Sequence, residues 1–444
     1  MCAMHEEAIS FCSEVPRSPP DWRRLVDRLP AEWIEQALQY SGKASIRRRR
    51  LPAEQVVWLV IALAVYRHLS IKEILDDLDL ALPDLNDRCV TSGGVSQAKE
   101  RLGPEAMHWL FNVSAKAWHA EQSDSHLFNG LSLFAMDGTT LRLADSAVIR
   151  EHFGAQHYPN DKVASYPQTR GVTLTAVPTH LMLDARFGPY KTSEMVLAKD
   201  LVDSVPGNSL TIFDRGFLSA EFLCRMVMNG QERHFLIPAK RNTKWTLVEG
   251  SEADGVVEME VSAAALKRDP GLPPRWRARA IRIPDAQGDI THLLTSLERG
   301  AAKAKDLISC YFRRWEIETS YRELKHTMLG SAQTLRSVTL EGVEQEIWGA
   351  LIAYNLVRIE IARAAAEAQC EPTSVSFILA LRTIQYECMV AAATQMQGKL
   401  PLGMKRLRQR LVLDLKEARP GRQFDRVVKA KAQRYPEKRL TRKP

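Results

Sequence analysis

At 444 residues the chain is too long for one ordinary hydrophobic core, and we expect about two to four domains. Its composition, with 45% hydrophobic and 26% charged residues, excludes a disordered, collagen-like or membrane-spanning protein. Seven cysteines without a CxxC pair favour a reducing cytosol and argue against a structural zinc site. The formal net charge of +8 and the pI near 9.1 are compatible with a nucleic-acid partner but indicate one only weakly.

The N-terminal third is predicted to be helical. No signal peptide is expected, because residues 1–20 carry early acids and no apolar segment. An unbroken arginine run at positions 47–50 precedes Pro52, which should open a helix with the apolar body Val56–Val65. That body has about half the length of a bilayer-spanning helix, so we interpret it as buried. Ser70 and Glu73 have the spacing of a capping box.

A short segment at residues 92–103 resembles a DNA-binding helix-turn-helix motif. Ser92–Ser96 is predicted to be a turn, and a helix carrying Gln97, Lys99 and Arg101 should follow and end at Gly103. A plain helical bundle is an equally good interpretation of the same residues.

From about Leu131 the pattern changes to strands alternating with helices. In chain order we predict strands at 131–136, 170–177 and 181–187, a helix at 192–205, a strand at 208–213, a helix at 219–228 and a strand at 233–238. Three strands, a helix, a strand, a helix and a strand is the order of a ribonuclease-H-like core. Residues 239–300 are rich in β formers and turn signals and are predicted to be a β-rich insertion, followed by helices at 342–366 and 373–396.

One stretch, YFRRWEIETSYRELK, carries a line of polar groups. On a continuous α-helix Tyr311, Arg314, Glu318 and Lys325 would fall within about 60° of one another, while Glu316 and Glu323 would lie on the other side. A phenol, a guanidinium and an ammonium suit phosphate oxygens, and a carboxylate suits a metal ion. The ordinary alternative is a solvated face with intrahelical ion pairs.

Two aspartates complete the candidate chemistry. Asp137 and Asp214 each end an apolar run and precede a glycine-containing turn. Alone, each would usually be a turn or cap residue. At neighbouring strand ends, about 4.8 Å apart, and with Glu318 leaning over them, they can share hard cations such as Mg²⁺. The histidines are scattered, so imidazole catalysis is not indicated.

These motifs resemble those of the DDE transposases of the bacterial IS-four insertion-sequence family. The resemblance rests on D-G-T-T at Asp137, D-R-G-F at Asp214 and the spacing Y-x2-R-x3-E-x6-K, and it covers most of the chain. It implies an α/β fold in which a ribonuclease-H-like core with a β-rich insertion is joined by an N-terminal helical DNA-binding domain and a helical C-terminal region. The boundaries are 1–125, 126–240, 241–300, 301–370 and 371–444, and the last region ends in a basic tail.

The resemblance also implies a function. It indicates a cytoplasmic, nucleoid-associated cut-and-paste transposase that binds terminal inverted repeats and target DNA as a homodimer. DNA would be cleaved by two-metal phosphoryl transfer, through a hairpin, with Mg²⁺ or with Mn²⁺ in its place. Asp137, Asp214 and Glu318 would be the metal ligands. The expected DNA-binding residues are Tyr311, Arg314, Lys325, Arg47, Arg48, Arg49, Arg50 and Trp276, where Trp276 (or, as second choice, Trp245) would stack a flipped base.

Three other interpretations stay open at this point. A ribonuclease-H-fold nuclease would cut branched DNA with the same acids but would not join ends. A DNA-binding protein descended from a transposase would be catalytically dead, which the intact acids argue against. A helical scaffold binding RNA through its basic patches would leave the three acids unexplained.

Overall fold

The computed structural model describes residues 29–44, 51–77, 91–122, 126–158, 162–283, 291–330, 334–394 and 408. Within these ranges the chain is a mixed α/β protein built on a nine-stranded sheet. None of the helices in the described ranges has both the length and the apolar character needed to cross a bilayer. The arginine run at 47–50 and nearly all of the basic tail lie outside the described residues.

Five helices form the described N-terminal part. They are α1 (Ala31–Tyr40), α2 (Ala53–Val65), α3 (Ile71–Asp77), α4 (Ser92–Leu102) and α5 (Glu105–Glu121). Pro52 precedes α2, and residues 55–64 are all buried, which confirms the predicted buried helix. The capping box is also confirmed, since Ser70 N donates to Glu73 Oε2 at 2.7 Å and Glu73 N donates to Ser70 Oγ at 3.2 Å.

The predicted turn at Ser92–Ser96 is wrong. Helix α4 already begins at Ser92, because the Thr91 hydroxyl accepts a hydrogen bond from Gly94 N at 3.1 Å and caps the helix there. The two glycines therefore lie in its first turn. The predicted end at Gly103 is confirmed, with a φ of +68° that glycine adopts readily. Residues 78–90, before this helix, lie outside the described ranges.

The nine strands of the sheet, identified by their residues, run in the order Met182–Pro189, Gln168–Ala176, Ser132–Arg142, Ser209–Phe213, Arg233–Pro238, His292–Thr295, Arg275–Arg282, Asp254–Glu260 and Thr246–Gly250. The third strand in this order pairs antiparallel with the second and parallel with the fourth, and the fourth pairs parallel with the fifth. The elements of the first part are β1 (Ser132–Arg142), α6 (Ala147–Phe153), β2 (His157–Tyr158), β3 (Lys162–Val163), β4 (Gln168–Ala176), β5 (Met182–Pro189), α7 (Glu194–Lys199), β6 (Ser209–Phe213), α8 (Ala220–Met228) and β7 (Arg233–Pro238). The predicted strands and helices are present in the predicted order, but three elements that were not predicted, α6, β2 and β3, lie between the first two predicted strands. The single helix predicted at 192–205 is α7 followed by a 3₁₀ turn at Val202–Ser204.

The β-rich segment continues the same sheet. It contains β8 (Thr246–Gly250), β9 (Asp254–Glu260), α9 (Ala263–Arg268), β10 (Arg275–Arg282) and β11 (His292–Thr295). β11 pairs antiparallel with β7, with Thr295 opposite Leu236, so the added strands extend the sheet edge. The β-rich character predicted for residues 239–300 is confirmed.

The stretch predicted as one helix is divided into three. Helix α10 (Ala304–Phe312) is followed by α11 (Trp315–Arg322) and by a π-helical turn at Glu323–Met328. Tight hydrogen bonds, from Arg313 N to Cys310 O and from Arg314 N to Tyr311 O, end α10. The prediction that Tyr311, Arg314, Glu318 and Lys325 lie on one face of a continuous helix is therefore wrong.

A long helix joins the sheet to the N-terminal helices. Helix α12 (Leu340–Glu367) is followed by α13 (Phe377–Thr394), as predicted. The buried Asn355 side chain on α12 accepts a hydrogen bond from Met182 N at 2.9 Å and donates one to Met182 O at 2.8 Å. Gly349 allows α2 to approach closely, because a Cβ there would lie 2.5 Å from Val60 Cγ1 and 3.1 Å from the Val60 carbonyl oxygen.

Replacing Asn355 by alanine should lower the free energy of unfolding by about 2–4 kcal/mol, because both backbone groups of Met182 lose their partner in a buried place. Urea denaturation followed by circular dichroism measures the change. The control Glu341→Ala, at the exposed start of the same helix, should cost less than about 1 kcal/mol. Equal losses in the two variants would contradict the role given to Asn355.

Candidate active site

The register of β1 and β6 places two aspartates side by side. The last pair of this parallel ladder is Met136 with Phe213, and each is followed by an aspartate. β6 ends there, whereas β1 continues to Arg142 along β4, with Asp137 opposite Thr173. The prediction that Asp137 ends its strand is therefore wrong, because pairing with β4 carries the strand on. Adjacent strands lie about 4.8 Å apart, so Asp137 and Asp214 are neighbours.

Both aspartates are oriented by nearby backbone. Asp214 caps the 3₁₀ turn Arg215–Phe217, where its Oδ1 accepts from Gly216 N at 2.6 Å. Asp137 Oδ1 accepts from Gly138 N at 2.8 Å. Each contact fixes one carboxylate oxygen and limits the directions in which the second can point.

Arg314 joins Asp137 to the third predicted acid. Its Nη1 lies 3.4 Å from Asp137 Oδ2, and its Nη2 donates to Glu318 Oε1 at 3.0 Å. Both nitrogens belong to one rigid guanidinium, so the two carboxylate oxygens lie within about 9 Å of each other. The phenol of Tyr311 lies close enough to Arg314 and Asp214 for their charges to influence its pKa. Burial raises the pKa of Tyr311, so its phenol keeps the proton and remains a donor.

The chain after Glu318 is attached to β1 at two points. Lys325 Nζ donates to Thr139 Oγ1 at 3.3 Å. The hydroxyl of Tyr321 donates to the backbone oxygen of Asp137 at 2.6 Å and lies 2.9 Å from Thr173 Oγ1. Tyr321 could not be predicted as a site residue, because its position in the sequence resembles any apolar position on a helix.

The opposite side of this segment is held by a buried ionic cluster. His180 lies between Glu316 and Glu323, at 2.9 Å and 3.3 Å, and Glu323 also contacts Tyr354 at 3.0 Å and Arg358 at 3.3 Å. Burial opposes the charged form, but Arg358 and the hydrogen bonds from His180 and Tyr354 outweigh it and lower the pKa of Glu323 to about 2. The ionised Glu323 therefore ties the π-turn to α12.

The carboxyl group of Asp137 is buried and lies near two other acids. Burial raises the pKa of Asp137 to about 6, and the charges of Asp214 and Glu194 add to the effect, while Gly138 N and Arg314 oppose it. Glu194, the first residue of α7, was missed because nothing in its local sequence distinguishes it from an ordinary acid in a first helical turn.

The donor atoms of the site suit a hard divalent cation, since carboxylate oxygens are the ligands that Mg²⁺ prefers. In this arrangement, however, the acids do not form a complete set of metal ligands. Across the described ranges, no three acid, histidine or cysteine side chains stand close enough to hold one ion. The guanidinium of Arg314 lies between Asp137 and Glu318 and forms an ion pair with each of them.

The two candidate tryptophans line one cavity of about 570 Å³ in the extended part of the sheet. Trp276 on β10 is 8% exposed and packs against Phe235, with ring centroids 6.0 Å apart. Trp245 is half-buried and meets His292 edge to face at 5.3 Å. Most of the Trp276 ring is therefore buried in the core, whereas a larger part of the Trp245 ring is exposed. Leu218, next to the Asp214 turn, and Lys240 also line the cavity.

Comparison with known proteins identifies the class of this fold and site. Residues 129–356 match the family model of the transposase DDE domain, and residues 20–112 match that of the insertion element 4 transposase N-terminal domain. The chain therefore belongs to the IS4 family of DDE transposases, which are enzymes that act on DNA.

Two proteins of Escherichia coli (strain K12) illustrate the relationship. The chain is 34% identical over 415 residues to the transposase InsG for insertion sequence element IS4, covering 93% of each protein. It is 32% identical over 244 residues to the putative transposase InsZ, covering 55% of this chain and 80% of that protein. A cryo-EM structure of the piggyBac transposase synaptic complex with hairpin DNA matches at a TM-score of 0.40 and 11% identity over 93% of this chain and 88% of that one, a likeness too low to add to the assignment.

The raised pKa of Asp137 predicts a pH-dependent effect in the metal-free protein. The folded-state value of about 6 lies above the ordinary 3.8, so the group favours folding most below pH 4, and this contribution is lost as the pH rises through about 6. Asp137→Asn lacks this dependence. In EDTA it should be more stable than the unmodified chain at pH 7.5, by up to about 3 kcal/mol, and the difference should vanish near pH 4.

Thermal unfolding at the two pH values measures this difference. Asp203→Asn is the matched control, since it removes one negative charge at a position that is 71% exposed, and it should change the stability by less than about 1 kcal/mol. A stability difference between Asp137→Asn and the unmodified chain that is equal at both pH values would contradict the buried, crowded environment described for Asp137.

Proposed function

We propose that this chain is a cut-and-paste transposase with a ribonuclease-H-like core, which binds the terminal inverted repeats of its insertion sequence and joins the freed 3′ ends to target DNA. The observation that carries the proposal is the position of the three acids: Asp137 and Asp214 follow paired residues on neighbouring strands, and Arg314 links Asp137 to Glu318. The three acids are distant in sequence, and the fold brings them to the same region at the end of β6.

Asp137, Asp214 and Glu318 would hold two divalent ions, Mg²⁺ or Mn²⁺. When bound, such ions stabilise the attacking and leaving oxygens of an in-line displacement at phosphorus. The hydrogen bonds from Gly138 N and Gly216 N keep the aspartates oriented for this task. Tyr321, which holds the Asp137 backbone, keeps the helix carrying Glu318 in register with β1.

The cationic residues would bind DNA phosphates. Arg314 can exchange its two carboxylates for a phosphate, which a guanidinium grips with two parallel hydrogen bonds. This exchange would free Asp137 and Glu318 at the moment when DNA arrives. Tyr311 and Lys325 lie on either side along the same segment, and their donors suit neighbouring phosphate oxygens.

Other parts of the chain would supply binding and specificity. Residues 1–125, including the arginine run at 47–50, would bind the inverted repeats, and the homodimer would hold two DNA ends together. If cleavage proceeds through a hairpin, the cavity lined by Trp245 and Trp276 would take the flipped base. The burial of Trp276 now favours Trp245 as the stacking ring.

The joining reaction is the direct test of this function. A double-stranded DNA carrying one terminal repeat, labelled at its 3′ end, is incubated with the protein, Mg²⁺ and a supercoiled plasmid. We expect the label to become covalently attached to the plasmid, and the Asp137→Asn variant to give none. Cleavage of the labelled DNA without any joining would instead identify a nuclease that uses the same acids.

The Asp214→Asn variant distinguishes a role in DNA cleavage from a role in DNA binding. The Asn side-chain oxygen can still accept from Gly216 N, so the turn should survive, while the negatively charged ligand is lost. Nicking in Mg²⁺ should fall by at least about 10³-fold, whereas binding of the terminal repeat in a gel-shift assay should change less than about threefold. Asp203→Asn serves as the control with the same change of charge. Nicking that persists in Asp214→Asn would rule out the metal role of this residue.

A further inference from the structure

Three basic residues meet where the N-terminal helices join the rest of the chain. Arg67 follows α2, Lys99 lies in the last turn of α4, and Arg336 lies between the π-helical turn and α12. Arg336 Nη2 donates to the backbone oxygen of Leu69 at 2.8 Å and also to that of Arg67. Gln345 on α12 donates to the backbone oxygen of Lys99 at 2.9 Å and so holds α4 at the same junction.

Glu346 is the acid that faces these three cations, and both of its oxygens are engaged. Oε1 accepts from Arg67 Nη1 at 2.8 Å and from Arg336 N at 2.9 Å, and Oε2 accepts from Ser337 N at 2.9 Å. The side chains of Arg67 and Glu346 are 6% and 7% exposed, so this ion pair is buried. Within the described ranges neither Lys99 nor Arg336 forms an ion pair, so the cluster carries an excess of positive charge.

The cluster also has hydrogen-bond donors to spare. In the described part of the chain, the Lys99 ammonium and the Nε and Nη1 atoms of Arg336 have no hydrogen-bond partner, and the buried Nε of Arg67 has none either. Burial lowers the pKa of Lys99, Glu346 opposes this shift, and the charges of Arg336 and Arg67 add to it. Like charges held together in a half-buried place are unfavourable, and a bound anion would relieve this repulsion.

We propose that Lys99 and Arg336, supported by Arg67, form a binding site for a phosphate group of the DNA backbone. This inference rests on the proposed function, which requires that the chain binds DNA. A phosphate group offers several oxygens that accept hydrogen bonds, so an ammonium and a guanidinium can hold one phosphate together. Lys99 and Arg336 are both half-buried, which leaves part of each side chain open to such a ligand.

The position of the cluster suits DNA that also reaches the candidate active site. Leu335 N, next to Arg336, donates to the backbone oxygen of Arg142 at 3.0 Å, at the end of β1. Asp137 lies five residues earlier on the same strand, or about 17 Å away. Duplex DNA covers this distance in about five base pairs. A terminal repeat with its end at Asp137 could therefore place a backbone phosphate on the cluster.

The salt dependence of DNA binding tests this contact. The affinity of the full chain for a terminal-repeat duplex is measured by fluorescence anisotropy at several salt concentrations. Lys99→Gln should bind about threefold or more weakly, and the slope of log K against log salt should become shallower by about 0.5–0.9, because one phosphate contact is weakened or lost. Lys99→Arg keeps the charge and should keep most of the slope. Lys267→Gln, which also changes a lysine in the last turn of a helix, should leave the slope unchanged.

Stability measured without DNA distinguishes a binding role from a structural one. Lys99→Gln removes a repelled charge that has no ion pair in the described ranges, so its melting temperature should equal or exceed that of the unmodified chain. Weaker DNA binding by a protein that is at least as stable supports the proposal. A loss of binding that only follows a loss of folded protein would give Lys99 a structural role and overturn it.

Inorganic phosphate distinguishes DNA from a small free anion. Phosphate replaces chloride at equal ionic strength, and it should raise the melting temperature of the unmodified chain more than that of Lys99→Gln. If phosphate has this effect while Lys99→Gln leaves the salt slope of DNA binding unchanged, the site takes a free anion and the DNA assignment is overturned.

The outcomes separate this inference from the function on which it rests. If the unmodified chain and Lys99→Gln bind the terminal repeat with the same affinity and salt slope, the cluster does not contact DNA and the proposed function stands. If the unmodified chain does not bind the terminal repeat, the proposed function fails, and this inference fails with it.

Discussion

Parallel pairing between β1 and β6 is the constraint on which the site depends. Five residue pairs fix the register, and the last of them puts Asp137 and Asp214 at the same level. A slip of one residue would turn one carboxylate to the other face of the sheet. The early end of β6 also matters, because it opens the edge of β1 on which Arg314 and Tyr321 then dock. The buried sheet therefore holds the carboxyl groups of Asp137 and Asp214 near each other despite their like charges.

The helical segment after α10 serves two purposes on opposite sides. One side presents Arg314, Glu318 and Lys325 to β1, where a single guanidinium balances two carboxylates. The other side buries Glu323 against Arg358 and His180, which anchors the segment to the core. Because the anchoring pair is buried and ionised, loss of either partner would leave an uncompensated charge. Anchoring on one side therefore holds the charged groups on the other side in a fixed arrangement.

Much of this organisation could be predicted from the sequence, and the exceptions have physical causes. Strand patterns and short motifs are local, so the strand order and the positions of Asp137 and Asp214 on neighbouring strands could be predicted. The π-turn could not be predicted, because its first residue, Glu323, contacts His180, which is 143 residues away in the sequence. The contact between Glu194 and Gly138 could not be predicted for the same reason, since only the fold brings these two residues together. The turn predicted at Ser92 failed because a capping threonine outweighed two glycines.

The central claim is that three carboxyl groups, remote in sequence, gather around a common pair of metal ions once DNA is present. The most direct measurement is the anomalous X-ray scattering of Mn²⁺ in crystals of the chain bound to a terminal-repeat DNA end. The account predicts peaks within about 2.6 Å of oxygen atoms of Asp137 and Asp214, with Glu318 on the same ion or its neighbour. Peaks elsewhere, with these carboxyl groups still well over roughly 10 Å apart, would contradict it.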